Sequence, residues 1–205
     1  MSRNSAEAKE LKEDSLTLNY GSAKLKGKLF TDRVCIDPIG NRCSTNFEFL
    51  SLYDAQGLGP DIDGILGLAN HKDTAKRHLN FVWALKDGKV IDKAVVSFSV
   101  SNGGSYALFG DWNSSQVVGN ETGLHALKTF NYMPEFVSAN KNWALEGQDL
   151  RYGDQSLKVA TDPSFPAIVD TGSSTLGVPP KMFDALKTEW LKAAQLDCDS
   201  NDDFC

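Results

Sequence analysis

The segment of the sequence that is most suggestive of chemistry is an aspartate directly after three apolar residues. It reads AIVDTGSS over residues 167–174, with the aspartate at Asp170. The apolar residues predict a strand, and Gly172 lets the backbone turn tightly after it. Hydroxyl groups on Thr171 and Ser173 can donate hydrogen bonds to an ionised carboxylate and fix its orientation. We therefore expect Asp170 to be held at a strand end, ready for general acid–base work on a water molecule.

The sequence does not support a serine nucleophile or a histidine metal site. No G-x-S-x-G elbow surrounds Ser173 and Ser174, so neither is a candidate nucleophile. The three histidines lack an H-E-x-x-H or other ligand spacing; they are His71, His78 and His125. We therefore expect no metal and no cofactor.

The elements that would position Asp170 are mainly short strands. Alternating or apolar stretches predict strands at 16–20, 94–100, 106–109, 125–130, 143–152 and 167–170. Apolar residues spaced four apart predict a helix over 180–195, and a weaker pattern predicts one over 73–86. Several short strands between turn residues are typical of an all-β sandwich or barrel. We expect the tryptophans to serve the core; they are Trp83, Trp112, Trp143 and Trp190.

Composition narrows the classes of partner. The 205 residues carry a formal net charge of −6 and a sequence pI near 5.1, which argues against a nucleic-acid partner. No apolar run approaches the ~18 residues of a membrane-spanning helix. The first fifteen residues are too polar for the core of a signal peptide.

Cysteines and sequons bear on the compartment. The four cysteines form two close pairs without C-x-x-C spacing, and we predict the disulfides Cys35–Cys43 and Cys198–Cys205. Asn-x-Ser/Thr sequons begin at Asn113 and Asn120. Together they suggest a glycoprotein of the oxidising secretory route. The alternative is free thiols and chance sequons.

Beyond Asp170, further motifs give the sequence a resemblance to the pepsin-like aspartic proteases. Tyr20-Gly21-Ser22, followed by Gly27 and Thr31-Asp32, resembles the flap hairpin of that family. Residues 63–69, DGILGLA, resemble a first-lobe segment whose apolar-apolar-Gly piece braces a catalytic loop. The FGD turn at 109–111 and NWAL at 142–145 follow in the family's order. The resemblance runs from about Asp14 to Gln195.

This resemblance implies an all-β, pepsin-like bilobal acid protease fold that is incomplete. Residues 1–140 would form a partial N-terminal lobe with the flap and interlobe strands, and 141–205 the start of the C-terminal lobe. Asp170 would be catalytic. The residues implied to bind substrate are Tyr20, Gly21, Ser22, Gly172, Ser173 and Ser174. Those implied to support the catalytic loops are Thr171, Ile65, Leu66 and Gly67.

The sequence also departs from the family pattern. The family places a first D-T-G before the flap, but the single D-T-G here is at Asp170. The apolar-apolar-Gly segment expected after the helix of the second lobe is also missing. We therefore expect the middle of a longer protease, through truncation, an incomplete gene model or degeneration.

The function implied is an aspartic endopeptidase that uses a water activated by an Asp dyad, and this chain alone is expected to be inactive. The substrate would be a peptide or protein, and the complete form would be monomeric. Its location would be the secretory pathway, in a lysosome or vacuole, or outside the cell. The alternative is a non-catalytic peptide-binding or degenerate fragment. A homodimer with one Asp per subunit is disfavoured, because Ile65-Leu66-Gly67 comes before Asp170.

Overall fold

The chain forms two compact units, Met1–His125 and Ala126–Cys205. The computed structural model describes residues 5–11, 14–20, 23–59, 61–69, 79–117, 119, 142–156 and 165–194. The predicted lobe boundary, between residues 140 and 141, falls outside the described residues and stays a prediction. The same holds for the strand predicted at 125–130.

The first unit is built on a four-stranded antiparallel sheet. Its strands are β1 (Lys9–Glu10), β2 (Leu16–Tyr20), β3 (Ala23–Cys35) and β4 (Cys43–Gln56). The long strand β3 pairs with all three others. Tyr20 pairs with Ala23, so β2 and β3 form a tight hairpin with two residues between them. The strand predicted at 16–20 is confirmed, whereas β4 was not predicted.

Strand β3 alternates between the two faces of the sheet, as a half-buried strand should. Ala23, Leu25 and Gly27 are buried, while the lysines between them are more accessible. The pairing with β4 shifts register between Lys26 and Gly27. A Cβ atom at Gly27 would collide with the carbonyl oxygen of Ser51. The close approach of the two strands at this irregularity therefore requires glycine.

The core of the first unit forms where helix α1 (Phe81–Asp87) packs against β4. Phe81, Val82 and Leu85 of the helix are buried in one cluster with Phe47 of β4. The side chain of Asn80 caps α1 by accepting the N–H groups of Val82 at 3.0 Å and Trp83 at 3.3 Å. The predicted helix over 73–86 is therefore present only from Phe81 in the described residues, and residues 73–78 lie outside them.

A second hairpin completes the described part of this unit. It consists of β5 (Val96–Ser99) and β6 (Tyr106–Phe109), which pair antiparallel, and it agrees with the strands predicted there. A short 3₁₀ helix over Ser114–Gln116 follows. Phe109 of β6 contacts Phe81 edge to face, with ring centroids 5.9 Å apart. The hairpin is thus joined to the core through this aromatic pair.

The predicted disulfide Cys35–Cys43 is confirmed, and it joins the end of β3 to the start of β4. Inside the loop it closes, the Asp37 carboxylate accepts the N–H groups of Arg42 at 2.7 Å and Asn41 at 3.0 Å. These bonds lower the pKa of Asp37 below its ordinary value of 3.8, and the bond from the Arg42 N–H has the largest effect. Ionised Asp37 therefore stabilises the folded unit fully at pH values above its ordinary pKa of 3.8. This stabilisation is lost as the pH falls through the lower pKa of the folded state.

Replacing both cysteines of this bridge is expected to destabilise the first unit. The disulfide closes a loop between residues 8 apart in sequence. Chain-entropy reasoning for such a short loop gives about 2–3 kcal/mol. A Cys35→Ala/Cys43→Ala variant should therefore show a lower urea midpoint and a lower free energy of unfolding in water. An unchanged midpoint would contradict the expectation. The pair Cys198–Cys205 lies outside the described residues, and its disulfide stays a prediction. Because a reductant would act on both cysteine pairs, the double variant is the more specific test of Cys35–Cys43.

The second unit contains two small antiparallel pairings and one helix. Strand β7 (Ala144–Gly147) pairs with β10 (Phe165–Ile168), and β8 (Arg151–Tyr152) pairs with β9 (Gln155–Ser156). Helix α2 spans Pro180–Ala194. The single strand predicted over 143–152 is instead two short strands, β7 and β8, and the strand predicted over 167–170 runs two residues earlier, at Phe165–Ile168. The helix predicted over 180–195 is confirmed. No helix in the described part of the chain combines the length and apolar character needed to cross a membrane.

The expectation that the tryptophans fill the core is wrong for three of them. Trp112, Trp143 and Trp190 are exposed, and Trp83 is half-buried. Trp112 lies in the turn after β6, where the ammonium group of Lys93 is 4.9 Å from its ring centroid. The face of an exposed indole ring can bind a cation in this way. The cation–π contact with Lys93 therefore gives Trp112 a stabilising partner outside the core.

Candidate active site

Asp170 follows strand β10, and the pairing of β10 with β7 determines its position. The ladder runs from Phe165 opposite Gly147 to Ile168 opposite Ala144, which is completely buried. One further hydrogen bond, from Val169 N–H to the carbonyl oxygen of Trp143 at 2.9 Å, extends the pairing to the residue before Asp170. The backbone is therefore anchored up to the point where the loop begins.

Both carboxylate oxygens of Asp170 accept hydrogen bonds from its own loop. The N–H of Gly172 donates to Oδ1 at 2.9 Å, and the hydroxyl of Ser173 donates to Oδ2 at 2.9 Å. The N–H of Ser173 also donates to the carbonyl oxygen of Asp170 at 3.2 Å, which closes the turn. Two donors on two different oxygens fix the plane of the carboxylate as well as its direction.

The backbone of Gly172 lies close to the Asp170 carboxylate. A Cβ atom at this position would lie 3.2 Å from Oδ1 of Asp170, tighter than an ordinary contact. A side chain there would push against the oxygen that the Gly172 N–H binds. Glycine at this position leaves room for its N–H to approach Oδ1 without a side chain pressing on that oxygen.

The far side of the loop is anchored by helix α2. Pro179 and Pro180 stand at its start, where a missing N–H group costs nothing. The N–H of Phe183 donates to the carbonyl oxygen of Pro179 at 2.9 Å, and Met182 is buried. The loop is thus held between a paired strand and a packed helix, which suits a group that must keep one orientation.

The Asp170 side chain is exposed, so its carboxylate is accessible to water and to a ligand. An oriented carboxylate of this kind can accept a proton from water or, when protonated, donate one. Thr171 and Ser174 belong to the same exposed loop. The described part of the chain holds no cluster of His, Cys, Asp or Glu side chains that could bind a metal.

The other predicted site residues belong to the first unit. Tyr20 ends β2, where its backbone pairs with Ala23, while Gly21 and Ser22 lie outside the described residues. Ile65 and Leu66 are exposed, at 47% and 46%, and a Cβ atom at Gly67 would meet open space among the described residues. The roles of these residues in substrate binding and in support of a catalytic loop remain predictions.

Sequence reasoning missed the residue that anchors the DGILGLA segment. The side-chain amide of Asn80 donates to the carbonyl oxygen of Ala69 at 2.7 Å while it caps α1. Leu68 packs against the core cluster beside it. An Asn directly before an apolar helical run is a known signal for an N-cap, and it could have been used to find the start of α1.

The fold is that of an aspartic proteinase of known structure. The crystal structure of the aspartic proteinase from Irpex lacteus superposes with a TM-score of 0.68, covers 96% of this chain and is 21% identical to it. The chain spans 56% of the length of that structure. The predicted fold, a mostly β and incomplete pepsin-like fold, is therefore confirmed.

The sequence matches the family described as eukaryotic aspartyl protease over residues 2–201. The chain therefore belongs to the eukaryotic aspartyl protease family. A comparison with curated protein sequences finds no match.

Proposed function

We propose that the protein is an aspartic endopeptidase in which Asp170 is one of two catalytic carboxylates. The observation that carries this proposal is the geometry of the Asp170 loop. Its two carboxylate oxygens each accept a hydrogen bond, from Gly172 and from Ser173, at the end of a paired strand. Membership in the aspartyl protease family supports the same reading.

The proposed reaction requires a second carboxylate close to Asp170. Two carboxylates about 3 Å apart cannot both ionise, so they share one proton and titrate as a pair. The ionised partner takes a proton from water as the water attacks the scissile carbonyl carbon. The protonated partner donates a hydrogen bond to the carbonyl oxygen. Asp170 can supply one of these roles, and a second D-T-G loop, which the 205 residues do not contain, would supply the other.

The remaining residues have proposed roles around this pair. Thr171 and Ser174 belong to the same loop as Asp170, and Gly172 and Ser173 orient its carboxylate by direct hydrogen bonds. The hairpin of β2 and β3 would cover a bound peptide, with Tyr20 near its tip. A peptide in extended form would add to backbone groups there as an extra strand. Ile65, Leu66 and Gly67 would brace the loop that carries the second aspartate.

Residues 1–140 would form part of the first lobe and residues 141–205 the beginning of the second, in a complete form that is monomeric.

The Cys35–Cys43 disulfide supports a location in the secretory pathway, a lysosome or vacuole, or outside the cell, because disulfides persist in oxidising compartments.

One observation favours a second candidate, a non-catalytic protein that binds peptides. The sequence contains a single D-T-G, and a lone carboxylate loses the shared-proton arrangement. A protein of this kind would bind an extended peptide without cleaving it. The two candidates differ in turnover rather than in fold.

Sequencing of the transcript on both sides of this chain, followed by an activity assay, separates them. We expect the 205-residue chain alone to show no hydrolysis of a peptide mixture between pH 3 and pH 7. A form extended by a transcript-encoded D-T-G should cleave peptides in acid. A transcript without a second D-T-G, combined with binding of a labelled peptide, would favour the non-catalytic candidate.

A contrary result would be acid hydrolysis of peptides by the purified 205-residue chain that is lost in the Asp170→Asn variant. That result would contradict the requirement for a second D-T-G loop. Such activity, if it rose with the square of the protein concentration, would instead support a homodimer with one aspartate per subunit. The assay should therefore be run over a range of concentrations.

A further inference from the structure

The loop after strand β6 combines a sequon with an exposed position in a well-anchored turn. Asn113-Ser114-Ser115 follows the turn at Gly110, whose φ of +92° suits glycine. Asn113 and Ser115 are both exposed. We infer that Asn113 is a site of N-linked glycosylation, which rests on the secretory route proposed above.

The orientation of the Asn113 amide supports this inference. Its Oδ1 accepts the backbone N–H of Ser115 at 3.1 Å and the Ser115 hydroxyl at 2.7 Å. Both bonds use the oxygen side of the amide, and the nitrogen lies on the opposite side of Cγ. Asn113 is exposed, and Nδ2 is the atom to which a glycan would be attached. Attachment there leaves both hydrogen bonds to Oδ1 in place.

The loop is anchored to the hairpin on both sides of the sequon. Before it, the hydroxyl of Ser97 donates to the carbonyl oxygen of Asp111 at 2.9 Å. After it, the hydroxyl of Tyr106 bonds to the side-chain oxygen of Gln116. A glycan on Asn113 would therefore project from a fixed turn and would require no change in the β5–β6 hairpin.

The Cys35–Cys43 disulfide is an independent observation that points to the same compartment. Disulfides form in the lumen of the secretory pathway, where N-linked glycans are also added. In the transfer, Nδ2 of Asn113 forms a bond to the anomeric carbon of a lipid-diphosphate-linked oligosaccharide. The bond from that carbon to the phosphate oxygen breaks, the lipid diphosphate leaves, and Nδ2 loses one proton.

The test uses the full 205-residue chain, fused to a cleavable signal peptide and produced in a eukaryotic cell. Lumenal and secreted material is treated with an amidase that removes N-linked glycans, in heavy-oxygen water, and the peptides are analysed by mass spectrometry. We expect Asn113 to be converted to a labelled aspartate. Asn113→Gln and Ser115→Ala should each lose one amidase-sensitive mobility step, whereas Ser115→Thr should keep it.

Ser114→Ala is the matched control, because it changes the neighbouring serine and leaves the sequon intact. The second sequon, at Asn120, lies outside the described residues, and Asn120→Gln removes its contribution to the mobility. An unmodified Asn113 in material that contains the Cys35–Cys43 disulfide would overturn the inference. Peptide masses report occupancy whether or not the protein has peptidase activity, so the two proposals can fail separately.

Discussion

Asp170→Asn is expected to abolish peptide hydrolysis in a form that carries both aspartates. The substitution removes a group that must give and take a proton, and each such role is worth roughly 10²–10⁴-fold in rate. The amide has nearly the same shape, and Gly172 can still donate to its oxygen. We therefore expect kcat to fall by at least about 10²-fold, while binding of the peptide, measured by fluorescence anisotropy, changes little.

Two further variants make this prediction specific. Asp184→Asn is the matched control, since Asp184 is an exposed aspartate of helix α2 and the exchange is the same. It should leave kcat unchanged. Ser173→Ala removes the 2.9 Å hydrogen bond to Oδ2 but keeps the carboxylate, so its effect on kcat should be smaller than that of Asp170→Asn. Equal activity of Asp170→Asn and the unaltered protein would show that Asp170 is not catalytic.

Phe81→Ala is expected to have the largest effect on stability. Phe81 is 1% exposed, and its ring lies 5.0 Å from that of Phe47 and 5.9 Å from that of Phe109, edge to face in both cases. Removing a buried phenylalanine costs about 3–5 kcal/mol, and aromatic pairs add to the loss. Since a domain is stable by only about 5–15 kcal/mol, the variant should lose much of the stability of the first unit.

Urea unfolding followed by tryptophan fluorescence and circular dichroism would measure this effect. Phe98→Ala is the matched control in the same unit, because Phe98 is 44% exposed on strand β5. It should change the unfolding free energy by less than about 1 kcal/mol. If Phe81→Ala does not fold, Phe81→Leu, a milder exchange expected to cost roughly 1–2 kcal/mol, gives a second measurement. Similar losses for Phe81→Leu and Phe98→Leu would contradict the proposed core.

Several elements could be read from the sequence because their signals are local. The hairpin at β2, the strand before Asp170, helix α2 and the Cys35–Cys43 disulfide were all predicted. Strand β4 was not, because its apolar residues do not follow a clean alternation. Phe47 is buried, yet the next apolar positions are only half-buried. The shifts in register along its pairing with β3 break the period on which such a prediction depends.

The sequence by itself determined the Asp170 loop, since both donors to the carboxylate lie within three residues of it. Only the tertiary structure decided which apolar side chains are buried. Phe81 and Phe98 are alike in the sequence, yet one is enclosed by Phe47 and Phe109 and the other is exposed. The physical reason is that burial needs surfaces from distant parts of the chain, whereas a turn that binds its own carboxylate needs only its neighbours.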